Sequence, residues 1–358
     1  MNEKEKALFF SLCKWKEDGP DEKLLSAATP AVLGHLFYNR MQGVAAYVLE
    51  KRGPVSGINR EFLNALLSAR EENAEKNRSY FQCIRMLSEL LCACHCKVAM
   101  LKGARLCAHY PDGCRTASDI DLLMHPKDVT AIGQLLSGAG FRQGYLRQGV
   151  FFPATREEVI AARMTRGETV PYIKEVNLPF LRYLEVDLNF SLDYKNGDDR
   201  ILSEMLREIR NADENGLCVP TLRADDFFIH LCAHLHKEAT TLPWIRMKRD
   251  MSLYKYGDLY TLLSEMTDAE IRAVFDRAAA LGAGKNCAFA ILETLALFDI
   301  KNNLAAALSK KALEKEADFC RLVFDPAEGK VLRYQTADPR KRFFLSSRIQ
   351  NLKEIKPK

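Results

Sequence analysis

"MLKGARLCAHYPDGCRTASDIDLLMH", residues 100–125, decides how this chain is read. Asp119 and Asp121 sit one residue apart in an alternating run from Ser118 to His125, which has the period of a β-strand. On a strand, side chains at i and i+2 project to one face, with Cα atoms roughly 6.5–7 Å apart. Both carboxylates therefore face one way, while Ile120 and Leu122 anchor the other face. Unpaired, two such charges raise one another's proton affinity. A divalent cation resolves the conflict, and Mg²⁺ takes hard oxygen ligands, commonly one or two carboxylates together with substrate phosphates.

The flanking residues extend this site. Lys97 to Leu101 is a short apolar run ending at Gly103, a strand that turns into a helix. Gly103 allows close backbone approach, and the N–H groups at a helix start suit an anion. Lys102 adds positive charge there, and Arg115 adds more from the loop before Asp119. Downstream, YLEVDLNF sets Glu185, Asp187 and Asn189 on one face and Val186, Leu188 and Phe190 on the other. If this strand lies beside 118–124, Asp187 reaches the same site as third ligand, general base or both. Two metals roughly 3.5–4 Å apart there would serve in-line phosphoryl displacement.

The ordered set Lys102, Gly103, Tyr110, Pro111, Arg115 and Asp119-Ile120-Asp121-Leu122-Leu123 resembles a bacterial group within the nucleotidyltransferase superfamily that has a DNA-polymerase-β-like fold. The resemblance spans about 25 residues and is loose elsewhere. It implies an α+β fold, with a small mixed sheet forming a nucleotidyltransferase core flanked by N-terminal and C-terminal helical regions. It also implies Mg²⁺ (or Mn²⁺) and a nucleoside triphosphate such as ATP as substrate, with metal at Asp119, Asp121 and Asp187. Nucleotide contacts are expected at Lys102, Gly103, Ala104, Arg115 and Ser118, and at Lys255 from the C-terminal helices. Many relatives have Gly-Ser or Gly-Gly where this chain has Gly103-Ala104, so a serine hydroxyl contact to phosphate is missing.

The whole chain fits a soluble enzyme. It has 358 residues, 47% apolar and 28% charged, enough for one large or two ordinary domains. No apolar run approaches a membrane span and the first residues lack a secretory pattern, so a cytoplasmic location without membrane contact is expected. Eleven cysteines cannot all pair internally, and most sit among apolar residues, as reduced thiols do. CACHC at 92–96 has no second cysteine pair to complete a zinc site. His230 and His234 lack the glutamate of a zinc-protease motif and read as hydrogen-bonded or partly buried side chains, with a cleft-lining role ahead of metal binding. Arg246, Lys248, Arg249 and Lys255 form a basic face, and Lys255 and Asp258 merit testing.

Four regions are expected: helices over 1–96, the α/β core over 97–197, helices over 198–329 and a basic tail over 330–358. Pro54 and Gly57 mark a junction within the first. PYIKEVNLP and YLEVDLNFSL should form an antiparallel pair, and a helix should follow Pro126. The tail carries nine Lys or Arg against Asp338 and Glu354 in a chain of net charge +5, so the body is near neutral. The expected activity is Mg²⁺-dependent transfer of a nucleoside monophosphate to a hydroxyl acceptor on a small molecule, protein or RNA, releasing pyrophosphate. Two other readings are an RNA- or tRNA-directed toxin or modifying enzyme that uses the basic tail, and a catalytically inactive nucleotide-binding interaction module.

Overall fold

In the computed structural model, residues 1–53, 57–165, 167–192, 199–214 and 216–355 are described. Pro54 and the expected boundary at 197/198 fall outside them. The chain divides into two compact units, Met1–Phe227 and Phe228–Lys358.

The first unit opens with helices α1 (Glu3–Leu12), α2 (Glu22–Leu25), α3 (Pro30–Tyr38), α4 (Gln42–Arg52) and the 33-residue α5 (Arg60–Cys92). The chain then gives β1 (Val98–Met100), the single turn α6 (Gly103–Leu106), β2 (Asp119–Met124), α7 (Val129–Gly138), β3 (Arg142–Arg147), β4 (Val150–Pro153), α8 (Arg156–Thr165), β5 (Tyr172–Leu178) and β6 (Leu181–Asn189). The six strands make one mixed sheet in the order β1-β2-β6-β5-β3-β4. β2 and β6 are parallel, and the other neighbours are antiparallel, including the expected β5–β6 pair. The expected α+β class therefore holds.

The period-2 pattern explains the layering. Ile120, Leu122 and Met124 of β2, with Leu184, Val186 and Leu188 of β6, share one apolar core with Tyr80, Cys83, Ile84, Leu87 and Leu91 of α5 and Val129, Ile132 and Leu136 of α7. Fully burying each such aliphatic side chain contributes about 1.5–3 kcal/mol. The helices thus hold one face of the β2–β6 pair, and the polar residues of both strands project from the other.

The stretch after residue 198, read from sequence as helical, begins with α9 (Asp199–Arg207) but then forms a hairpin, β7 (Arg210–Glu214) and β8 (Leu217–Thr221). Gly216 takes φ +73° in its turn, and its N–H donates to Asp213 Oδ1 at 2.8 Å. Thr221 Oγ1 donates to the Met100 carbonyl at 2.9 Å, fixing the hairpin beside β1. α10 (Ala224–Ala239) follows.

The second unit contains α11 (Leu242–Arg246), α12 (Leu253–Glu265), α13 (Asp268–Ala280), the largely buried α14 (Gly284–Phe298), α15 (Asn303–Ala312), β9 (Leu322–Asp325), β10 (Lys330–Tyr334), α16 (Pro339–Phe343) and β11 (Leu352–Glu354). The segment expected to be a basic tail is structured through Glu354: β10 lies between β11 and β9 in a three-stranded sheet. Four of its cations have carboxylate partners: Lys330 pairs with Glu328, Arg333 with Asp318, Arg342 with Glu293 and Arg348 with Asp250. Among the described residues no helix is long and apolar enough to cross a membrane, and all eleven cysteines are free.

Candidate active site

β2 and β6 run in parallel register with Asp119 opposite Glu185 and Asp121 opposite Asp187. Four carboxylates therefore occupy two neighbouring rungs of one sheet face. Asp119 is exposed at the strand end, Asp121 is buried, and Glu185 and Asp187 are partly buried. Burial, then the charges of Asp121, Glu185 and Asp119, hold the Asp187 carboxyl well above the usual carboxylate range, with Lys102 opposing. Glu185 is raised for the same reasons, burial first and then Asp119 and Asp121.

Lys102 makes an ion pair with this face. Lys102 Nζ stands 2.7 Å from Asp121 Oδ1, and Asn189 Nδ2 donates to the same oxygen at 3.3 Å. Burial works against charging Lys102, but Asp121, Asp119 and Asp187 outweigh it and keep the ammonium above its ordinary range. The backbone at Lys102 takes φ +46° and ψ −116°, a conformation that costs a non-glycine residue about 1–3 kcal/mol. Leu101 N donates to Asp121 O at 2.9 Å, tying this turn to β2.

Gly103 is needed for a reason the sequence did not reveal. A Cβ there would lie 2.9 Å from both the Ala117 Cβ and the Tyr80 hydroxyl, so the glycine lets the turn close against α5 and the loop before β2. Ala104 is fully buried beside it. α6 is only four residues long, so its dipole adds little for an anion.

The loop carrying Arg115 is clamped along α5. Arg70 Nε donates to Asp112 O at 2.9 Å, Asn73 Nδ2 to Gly113 O at 2.8 Å, and Asn77 Nδ2 to Arg115 O at 3.0 Å. Lys76 Nζ reaches Ser118 Oγ at 2.5 Å, and the Tyr80 hydroxyl donates to Asp119 O at 2.8 Å. Positions 70, 73, 76, 77 and 80 share one side of a helix of 3.6-residue period. The charged middle of α5 is thus the support of the Asp119–Asp121 strand. Its signal in the sequence was a polar stripe at helical spacing between two apolar ends. Gly113 closes the clamped loop at φ +74°, where an added Cβ would meet the Arg70 carbonyl at 2.3 Å. Arg115 is buried in this loop, its guanidinium donating to the Thr116 carbonyl.

The first unit thus brings Lys102, Asp119, Asp121 and Asp187 to one strand face, with Ser118 just before it, while Ala104 and Arg115 are buried in the adjoining turn and loop. Lys255 belongs to the second unit, where it pairs with Glu238, which also lies 3.3 Å from His234 Nε2. The CACHC segment forms no metal cage, and among the described residues no three His, Cys, Asp or Glu side chains already stand close enough to hold an ion. The donors of the β2–β6 face nevertheless fit a hard divalent cation by chemistry, being carboxylate oxygens on adjacent strands, with Lys102 as the present counterion of Asp121.

No curated protein matches the chain. A family model described as "uncharacterised nucleotidyltransferase" matches residues 29–299, well over half the sequence and including both strands that carry the carboxylates. The chain belongs to this nucleotidyltransferase family and is a transferase of that class.

Proposed function

We propose that the protein transfers a nucleoside monophosphate from a nucleoside triphosphate to a hydroxyl acceptor, using the β2–β6 carboxylates as a divalent-cation site. The observation that carries this reading is the register, which sets Asp121 beside Asp187 on parallel strands, with Asp119 two residues earlier on the same face. Four carboxylates on one strand face, with Lys102 ion-paired to Asp121, leave a local negative surplus with no value for folding. A hard cation with a triphosphate accounts for it.

Asp119, Asp121 and Asp187 would hold Mg²⁺ or Mn²⁺, which when bound supplies charge neutralisation for the phosphates and lowers the proton affinity of the attacking hydroxyl. The chain's own groups do the rest. The acceptor oxygen forms a bond to the α-phosphorus, the bond from that phosphorus to the pyrophosphate oxygen breaks, and the hydroxyl proton passes to Asp187. Lys102 releases Asp121 as the site loads and turns its ammonium toward phosphate oxygen. The clamped loop and α5 keep the strand from shifting, and fixed geometry of this kind supplies much of the catalysis in phosphoryl transfer.

The test is isothermal titration of ATP, GTP, CTP and UTP with Mg²⁺ into the full chain and into Asp119→Asn/Asp121→Asn. Metal-dependent binding of at least one nucleotide, lost in the double variant, is expected. Equal binding by both proteins, or none by either, would overturn the reading.

A further inference from the structure

Lys76 stands apart from the other polar residues that clamp the loop. Arg70, Asn73, Asn77 and Tyr80 each donate to a backbone carbonyl. Lys76 instead directs its ammonium to the hydroxyl of Ser118, the residue immediately before the first aspartate of the site. It is partly buried, and among the described residues it has no carboxylate within ion-pair distance. Burial, then the like charge of Arg40, push its ammonium below the ordinary lysine value, and Asp119 draws it part of the way back. A partly buried lysine whose hydrogen-bond partner is a hydroxyl lacks the close counterion that buried charges require.

We infer that Lys76 and Ser118 form the polyphosphate-holding edge of the site, with the Lys76 ammonium and the Ser118 hydroxyl contacting phosphate oxygens of the nucleoside triphosphate and of the pyrophosphate released from it. This rests on the nucleotidyltransferase reading, but the contact itself is to phosphate and can be tested without a nucleotide. Lys102 reaches the second aspartate, Asp121, and Lys76 reaches the residue before the first. The two lysines therefore bracket the carboxylates, one from the turn after β1 and one from the long N-terminal helix. That gives the N-terminal helices a part in substrate binding, since α5 contributes a substrate contact as well as core packing.

The experiment is titration of tripolyphosphate and of pyrophosphate, each with Mg²⁺, into the full chain, Lys76→Met and Lys76→Arg, with thermal unfolding of all three proteins as a check on folding. Binding by the wild type is expected to weaken roughly 10- to 100-fold in Lys76→Met, as suits the loss of one charged hydrogen bond. Lys76→Arg should recover a large part of it, and the melting temperatures should stay close. A structural clamp alone would lower the melting temperature and leave phosphate affinity unmoved, overturning the inference. Absence of any wild-type binding to either anion would overturn it as well. If nucleotide binds in an aspartate-dependent way but Lys76→Met binds both anions normally, only this inference fails. If Lys76-dependent anion binding persists without any nucleotide binding, the nucleotidyltransferase reading fails and the anion site stands.

Discussion

Each unit contains a buried pairing of cation and carboxylate, and the two differ in their surroundings. In the second unit Arg342 places Nη2 2.5 Å from both oxygens of Glu293, with the side chains 3% and 4% exposed. One positive charge meets one negative charge, and the pair closes the core between α14 and α16. In the first unit Lys102 meets Asp121 with side chains 24% and 7% exposed, and Asp119, Glu185 and Asp187 share the same strand face. Here four carboxylates exceed the charge of the cation ion-paired to them, and the Lys102 side chain is partly open to solvent. A balanced, sealed pair is what folding requires of a buried charge. An unbalanced, accessible one is explained by something that binds.

The comparison breaks if the two pairs respond alike to substitution. The largest effect should come from the sealed pair: Glu293→Gln or Arg342→Met should cost about 3–5 kcal/mol, because each leaves the other group buried without its partner. Denaturant unfolding measures this. Asp187→Asn should do the opposite to stability, leaving the midpoint unchanged or higher by relieving repulsion, while nucleotidyl transfer falls roughly a hundredfold or more. A stability loss like that of Glu293→Gln would place Asp187 among the structural groups.

Lys102→Ala should be intermediate, costing about 1–3 kcal/mol by leaving Asp121 among like charges. Added Mg²⁺ should restore most of that loss, an effect with no counterpart at Arg342. A separate effect concerns pH and the second unit alone. The His236 ring accepts from Asn286 Nδ2 at 2.9 Å, stacks on Phe319, and is lowered by burial to about 4. Its folded value lies below its unfolded one, so its contribution is fully present above about 6.5 and is lost as pH falls toward about 4. Thermal melts across that window should show a falling midpoint, and His236→Phe should flatten the slope.

The two regions also differ in how far the sequence revealed them. The carboxylate strands were legible because a half-buried strand writes its two faces in alternate residues, and Asp119, Asp121 and Asp187 fell on the polar phase of apolar runs. The β7–β8 hairpin was not, because Arg210–Glu214 is almost wholly polar and carries no alternation. The C-terminal strand β10 read as a solvated basic end because the partners of its segment's charges are remote in sequence, Arg348 meeting Asp250 and Arg342 meeting Glu293. Gly103 was legible as a special position, but its neighbour Tyr80, on a helix that begins at Arg60, was beyond any local pattern. The same distance concealed the α5 clamp, whose polar residues meet carbonyls about 40 positions away.

The carboxylate surplus on β2 and β6 should hold a divalent cation together with a triphosphate. Mn²⁺ titration followed by electron paramagnetic resonance, with and without a non-hydrolysable nucleoside triphosphate, tests it most directly. The full chain should remove the free Mn²⁺ signal, the triphosphate should tighten this binding, and Asp119→Asn/Asp121→Asn should abolish it. A free signal that the wild type leaves unchanged, or that the double variant removes equally well, would contradict it.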